Sequence, residues 1–189
     1  MTSEVEAKIL EINVEETTRK ILELGAKKSF EGELRASFFD FQDRSLTNTG
    51  RTLRLRQQGE EFMLTFKGPL RKEGKAKVRE EHEIRLPDAG NMRCILSGLG
   101  LQEGGSSVKH RISYKLKEHP EFGSASLELD TIPDIPTFLE IEAEDEGKLK
   151  VLAKELGFLV HELRPWTMTN VIRFYQRVKY LDNLRSGKK

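Results

Sequence analysis

The chain has 189 residues, of which 33% are charged, yet 32 Lys and Arg stand against 31 Asp and Glu for a formal charge of +1. Such a balance excludes binding to nucleic acid or an anionic membrane through bulk charge, which needs a sustained excess of Lys and Arg. One cysteine, Cys94, excludes an intrachain disulfide framework and a Cys-rich zinc cluster, while 37% hydrophobic residues suit one folded domain rather than a disordered chain.

Met1 to Ile12 carries acidic residues where a secretory signal would carry a basic and then an apolar run, so a cytoplasmic protein is expected. Glu4 to Leu10 alternates, with Glu4, Glu6 and Lys8 on one side and Val5, Ala7 and Ile9 on the other, which predicts a strand. Asn13 is placed to cap a helix over Val14 to Leu24, whose apolar residues recur at helical spacing and which Gly25 ends. Strand patterns then return over Arg35 to Phe41, Thr52 to Gln57, Glu61 to Lys67 and Lys77 to Leu86. Three more follow, over Val108 to Leu116, Ser124 to Thr131 and Thr137 to Glu144.

Between and after these strands, helices are expected over Asp88 to Leu99, Asp145 to Leu156 and Trp166 to Leu184. The polar stretches Arg71 to Lys77 and Lys117 to Gly123 read as loops over one mouth of the sheet, and Gly104-Gly105-Ser106 as a turn. Residues 1–184 form one domain on this reading, with 185–189 as a frayed basic tail. About eight strands with turn-like links give an α+β fold built on a mostly antiparallel sheet.

The charged strand faces are sorted. Glu4/Glu6, Glu128/Asp130 and Glu140/Glu142 each align two carboxylates at i,i+2, while Arg54/Arg56 and Lys109/Arg111 align cations in the same way. One reading is a solvated sheet face with cross-strand ion pairs, each contributing a few tenths to about 1 kcal/mol. The other is a barrel whose charged faces line the interior, where Arg and Lys bind phosphate oxygens and clustered carboxylates bind Mg²⁺ or Mn²⁺. Three like-charged pairs favour the second, because without a cation between them they repel.

Glu4-Val-Glu-Ala-Lys8 resembles the ExExK signature of the CYTH superfamily, the triphosphate tunnel metalloenzymes, which include class IV adenylyl cyclases, thiamine triphosphatases and inorganic triphosphatases. Leu53-Arg-Leu-Arg56, Leu64 to Pro69, Arg79 with Glu81 and Glu83, Lys109-His-Arg111, Leu127 to Asp130 and Phe138 to Glu142 follow in the family's order. The resemblance implies a closed eight-stranded antiparallel tunnel with helices outside. It also implies catalytic roles for Glu4, Glu6 and Lys8, and metal ligation by Glu4, Glu6, Glu128, Asp130, Glu140 and Glu142. Substrate contacts would come from Lys8, Arg54, Arg56, Lys67, Arg79, Lys109, Arg111 and Arg164.

Arg164-Pro165-Trp166 departs from the family's Lys-Ser-Tyr-like segment, so Arg164 is the expected substitute for its basic residue. The His-Phe pair that cyclases of the family carry ahead of ExExK is absent from Met1-Thr2-Ser3. The expected activity is therefore a Mg²⁺- or Mn²⁺-dependent triphosphatase acting on inorganic, thiamine or nucleoside triphosphate. A class IV adenylyl cyclase is the first alternative and a non-catalytic polyphosphate or nucleotide sensor the second. Neither nucleic acid nor a membrane is an expected partner, and the oligomeric state is left open, a homodimer included. Cys94 is expected to be a buried helix residue, and His82, His110, His119 and His161 show no ligand spacing.

Overall fold

The computed structural model describes the backbone of residues 2–185 and the side chains of residues 5–183 and of Arg185. Its elements are β1 (Thr2–Ile9), α1 (Val14–Glu23), β2 (Lys27–Phe41), α2 (Ser45–Asn48), β3 (Thr52–Gln58) and β4 (Glu61–Lys67). They continue with β5 (Arg71–Glu73), β6 (Ala76–Leu86), α3 (Ala89–Gly98), β7 (Leu101–His119) and β8 (Gly123–Ile132). The chain then runs through β9 (Ile135–Ala143), α4 (Glu146–Glu155), a single 3₁₀ turn and α5 (Met168–Arg185).

The sheet order is β1-β9-β8-β7-β2-β3-β4-β6, and a β1–β6 pairing closes the ring into the expected eight-stranded antiparallel barrel. The short β5 pairs only with β6, outside the ring. Closure leaves these eight strands without a free edge. No described helix is long and apolar enough to cross a membrane.

The hydrophobic core lies outside the barrel rather than in it. Val5, Ala7 and Ile9 of β1, Leu127 and Leu129 of β8, and Leu139 and Ile141 of β9 face outward. They meet Ile21 of α1 and Leu149, Leu152 and Leu156 at α4. Burying each such Leu or Ile is worth about 1.5–3 kcal/mol, so helical cover stabilises this wall. A second cluster forms under α3 from Phe39, Leu55, Leu96 and Leu101. The helix starts are capped as their residues predict: Asn13, Asp88 and Asp145 accept from the N–H groups of Glu16, Asn91 and Lys148 at 3.0, 2.9 and 2.8 Å. Each cap contributes about 1 kcal/mol.

Several local expectations need correction. β2 begins at Lys27, not Arg35, and β7 at Leu101, not Val108; the added part of β2 pairs with Lys109 to Lys115 of β7, and the added part of β7 with Ala36 to Phe41 of β2. Phe38 pairs with Gly105 and Phe39 with Glu103, so Gly104 is the extra residue of an irregularity within β7 rather than part of a turn. Arg71 to Lys77 is a hairpin, with Arg71 opposite Val78 and Lys72 opposite Lys77. Lys117 to His119 extends β7 where a loop was expected. Cys94 is exposed, because α3 turns Leu96 and Met92 inward and leaves Cys94 off that stripe. The expected tail, apart from Arg185 in α5, lies outside the described residues.

Candidate active site

The inward face of the barrel surrounds a cavity of 630 Å³. Nine cationic side chains line it: Lys8, Arg54, Arg56, Lys67, Lys77, Arg79, Lys109, Arg111 and Lys115. Six carboxylates join them, from Glu6, Glu81, Glu83, Glu128, Glu140 and Glu142, and Phe38, Thr52 and Thr167 to Thr169 complete the described lining. Period-two alternation produces this lining, since the neighbours of each charged residue supply the outer core. The opposite assignment is the usual one for small barrels, whose interiors are filled by apolar side chains.

Strand register brings the charges together. Glu6 lies opposite Glu142 on β9 and opposite Lys77 on β6, while Lys8 lies opposite Glu140. The Lys8 ammonium contacts Glu6 at 3.1 Å and also bonds Glu140; Lys77 bonds the same oxygen of Glu6. Lys8 is almost fully buried, and burial alone would lower its pKa, but Glu140 and Glu6 outweigh that and raise it. Burial would raise the pKa of Glu140, but Lys8 and Arg111 hold it well below the usual carboxylate range.

On the opposite wall Lys67 meets Glu81 at 2.8 Å and Arg56 meets Glu83 at 3.0 Å. Arg54 stands 3.9 Å from both acids. The Nε atoms of Arg54 and Arg56 are buried without a hydrogen-bond partner. Burial, followed by the neighbouring Arg56 charge, lowers the pKa of Arg54. Lys109 bonds Asp130 at 2.6 Å, yet burial and then Arg111 bring its pKa down to about 8.

Two expected site residues take other positions. Asp130 is fully buried, receives both Nε and Nη2 of Arg111 at 2.6 Å, and is absent from the described lining. It acts here as the counter-ion of Arg111 and Lys109 rather than as an available metal donor. Arg164 joins Lys8 only through backbone hydrogen bonds of 2.8 and 2.9 Å, while its guanidinium donates to the His161 carbonyl and lies over Trp166. It does not line the cavity. Arg79 does, and its guanidinium donates to the carbonyls of Gly68 and Gly50, joining two turns. The Glu4 side chain lies outside the described residues, although its backbone pairs with Arg79.

Lys77 and Lys115 are lumen cations that the sequence reading did not assign to the site. Lys77 is in phase with Arg79, Glu81 and Glu83, and Lys115 with Lys109 and Arg111, so alternation was the available signal. Lys115 bonds Ser126 at 2.6 Å. Burial and then Lys8 lower the pKa of Lys77 against the pull of Glu6.

Among the described residues no three His, Cys, Asp or Glu side chains converge as a ready metal cage. The donor chemistry nonetheless fits a hard divalent cation at Glu6, Glu140 and Glu142, which are lumen carboxylates on adjacent strands. Glu142 makes no ion pair among the described residues. Burial raises its pKa, and Glu140 and Glu6 add to this against Lys115 and Lys67, so a bound cation would relieve it. Glu128 pairs with Arg111.

The CYTH domain family matches residues 2–175. A protein of Methanocaldococcus jannaschii that bears the provisional name adenylate cyclase is 32% identical over 162 residues, spanning 82% of this chain and 87% of that relative. A solved structure from Vibrio parahaemolyticus with the same provisional name aligns with a TM-score of 0.73 at 19% identity, covering 90% of this chain and 97% of that one. The Hippeastrum protein HpAC1, provisionally an adenylyl cyclase and described as having a dominant triphosphatase activity, aligns with a TM-score of 0.61 at 18% identity. That alignment covers 98% of this chain and 97% of the other. The solved structures share the fold, the sequence match spans the barrel and its lining, and the chain belongs to the CYTH domain family.

Proposed function

We propose that the chain is a divalent-cation-dependent triphosphatase that binds a triphosphate lengthwise in the barrel and hydrolyses a terminal phosphoanhydride. CYTH proteins act on triphosphates as cyclases or triphosphatases, so an enzyme of this class is the starting point. The observation that carries the reading is the pair of buried, unpartnered Nε atoms of Arg54 and Arg56. Leaving a buried donor unsatisfied costs about 1–3 kcal/mol, which an anionic ligand recovers through charge-assisted hydrogen bonds.

A cation, Mg²⁺ or Mn²⁺, held by Glu6, Glu140 and Glu142 would supply charge neutralisation at the phosphate oxygens. The chain's own cations divide the remaining work. Arg54, Arg56 and Lys67 bind phosphate oxygens from β3 and β4, and Lys109 and Arg111 bind them from β7. Lys8, whose charge is held by Glu6 and Glu140, stabilises the negative charge that builds on the leaving oxygen. Fixing the anion from two walls aligns the terminal phosphoryl group for attack by water, and the surrounding strands limit competing solvent.

A class IV adenylyl cyclase is the second reading, favoured by the name of the 32% identical relative. The lining weighs against it, because Phe38 is its one described aromatic surface on which a base could stack. The test is to incubate the pure protein with inorganic triphosphate, thiamine triphosphate and ATP, each with Mg²⁺ or Mn²⁺, and identify the products. Orthophosphate release supports the triphosphatase. Cyclic AMP with pyrophosphate from ATP would establish the cyclase instead, and binding without product would leave a sensor.

A further inference from the structure

The Glu6 carboxylate oxygen serves two ammonium groups. Lys8 contacts it at 3.1 Å and has Glu140 as a second acid, whereas Lys77 has no second acidic partner among the described residues. A lysine ammonium carries three donors. Lys77 is 5% exposed and lines the cavity, so its remaining donors face the lumen, where an anion would meet them. The geometry points to Lys77 as a further polyphosphate ligand, one that leaves Glu6 for a phosphate oxygen when the anion binds and thereby frees that carboxylate for a cation.

Local structure fixes Lys77 in this role. Ala76 and Val78 on either side of it are buried in the outer core, which turns Lys77 inward. The hairpin that leads into it is clamped: Glu146, the first residue of α4, accepts the Lys75 N–H at 2.6 Å. Gly74 sits at φ +55, and a Cβ there would run into Glu146 Oε1. Any larger residue therefore meets both backbone strain and the clamping carboxylate. Arg71, Lys72 and Lys75 of the same hairpin do not line the cavity; only its last cation does.

This inference rests on the triphosphate reading of the same lumen, and its test separates the two. Calorimetry would measure inorganic triphosphate binding, with EDTA present, to the wild type and to Lys77→Met, Lys77→Arg and Lys72→Met. Lys77→Met is expected to weaken binding by about tenfold or more, the effect of losing one charged hydrogen bond. Lys77→Arg, which keeps the charge, should stay within about threefold of wild type, and Lys72→Met should be unchanged because its charge lies outside the cavity. Where Lys77→Met does not fold, as circular dichroism reports, Lys77→Gln takes its place with the same expected loss. A second readout is Mn²⁺ binding to the anion-free protein by paramagnetic resonance, expected to strengthen in Lys77→Met and to stay weak in Lys77→Arg. Wild-type triphosphate affinity in Lys77→Met, or an equal loss in Lys72→Met, would overturn the inference. Failure of the wild type itself to bind triphosphate would overturn the functional reading on which it rests.

Discussion

Arg111 donates Nε and Nη2 to the carboxylate of Asp130, both at 2.6 Å, across the β7–β8 pairing where these two residues stand directly opposite. Arg111 also reaches Glu140 at 3.2 Å and pairs with Glu128. It therefore joins the carboxylates of two neighbouring strands, with Asp130 as its deepest partner. Removing one member of a buried pair leaves the other charge uncompensated.

Asp130→Asn is therefore expected to cost about 3 kcal/mol of folding stability, near the lower end for a broken buried pair because Glu128 and Glu140 remain. Urea unfolding checks this. Stability within about 0.5 kcal/mol of wild type, the range of an ordinary surface change, together with lost cation binding, would return Asp130 to the metal site.

Arg56→Ala is expected to weaken triphosphate binding by about 1.5–3 kcal/mol, the scale of a lost charged hydrogen bond. Calorimetry on the folded variant is the check. Unchanged affinity would remove Arg56 from the phosphate site.

Glu142→Gln tests the lumen carboxylate that makes no ion pair among the described residues. Burial and the acids beside it already disfavour its charge, so the neutral variant should fold with at least wild-type stability. Cation-dependent turnover should be lost. A variant with full activity would show that Glu142 takes no part, and one that unfolds would show that it is structural.

Lys109 gives the pH dependence its sign. Its pKa in the folded protein, lowered to about 8, lies below that of an unfolded lysine, so between those two values the unfolded chain binds more protons. Its unfavourable contribution to stability is full below pH 8 and is relieved as pH rises toward about 10.4. A bound anion favours the charged form, so triphosphate binding near pH 8.5 should take up a proton. Calorimetry in buffers of different ionisation enthalpy measures that uptake, which should vanish in Lys109→Met. Equal uptake in both proteins would assign it to another group.

Most of the lining was legible in the sequence because alternation is local. Arg54 and Arg56, Lys109 and Arg111, and Glu140 and Glu142 each stand two apart on their strands, with Leu55, His110 and Ile141 between them. What depends on pairing was not legible. Lys27 to Leu34 and the Gly104-Gly105-Ser106 stretch carry no strand pattern; the first extends β2 by pairing with Lys109 to Lys115 of β7, and the second extends β7 beside Ser37 and Phe38 of β2. Asp130 is in phase with Glu128, and its role differs because register sets it opposite Arg111. Lys77 followed the alternation of Arg79 and Glu81 but sat at the end of a polar stretch that resembled a loop. The turning of Arg164 onto Trp166 depends on side-chain packing that no spacing rule reports.

The central claim is that one lumen holds a triphosphate on its cations and a divalent ion on its carboxylates. It is tested most directly by diffraction at the manganese absorption edge from crystals grown with Mn²⁺ and a non-hydrolysable triphosphate analogue. The expected result is an anomalous peak within coordination distance of Glu142 and Glu6 or Glu140, with phosphate density against Arg54, Arg56 and Lys109. Manganese and phosphate bound outside the barrel, with the lumen ion pairs left intact, would contradict the account.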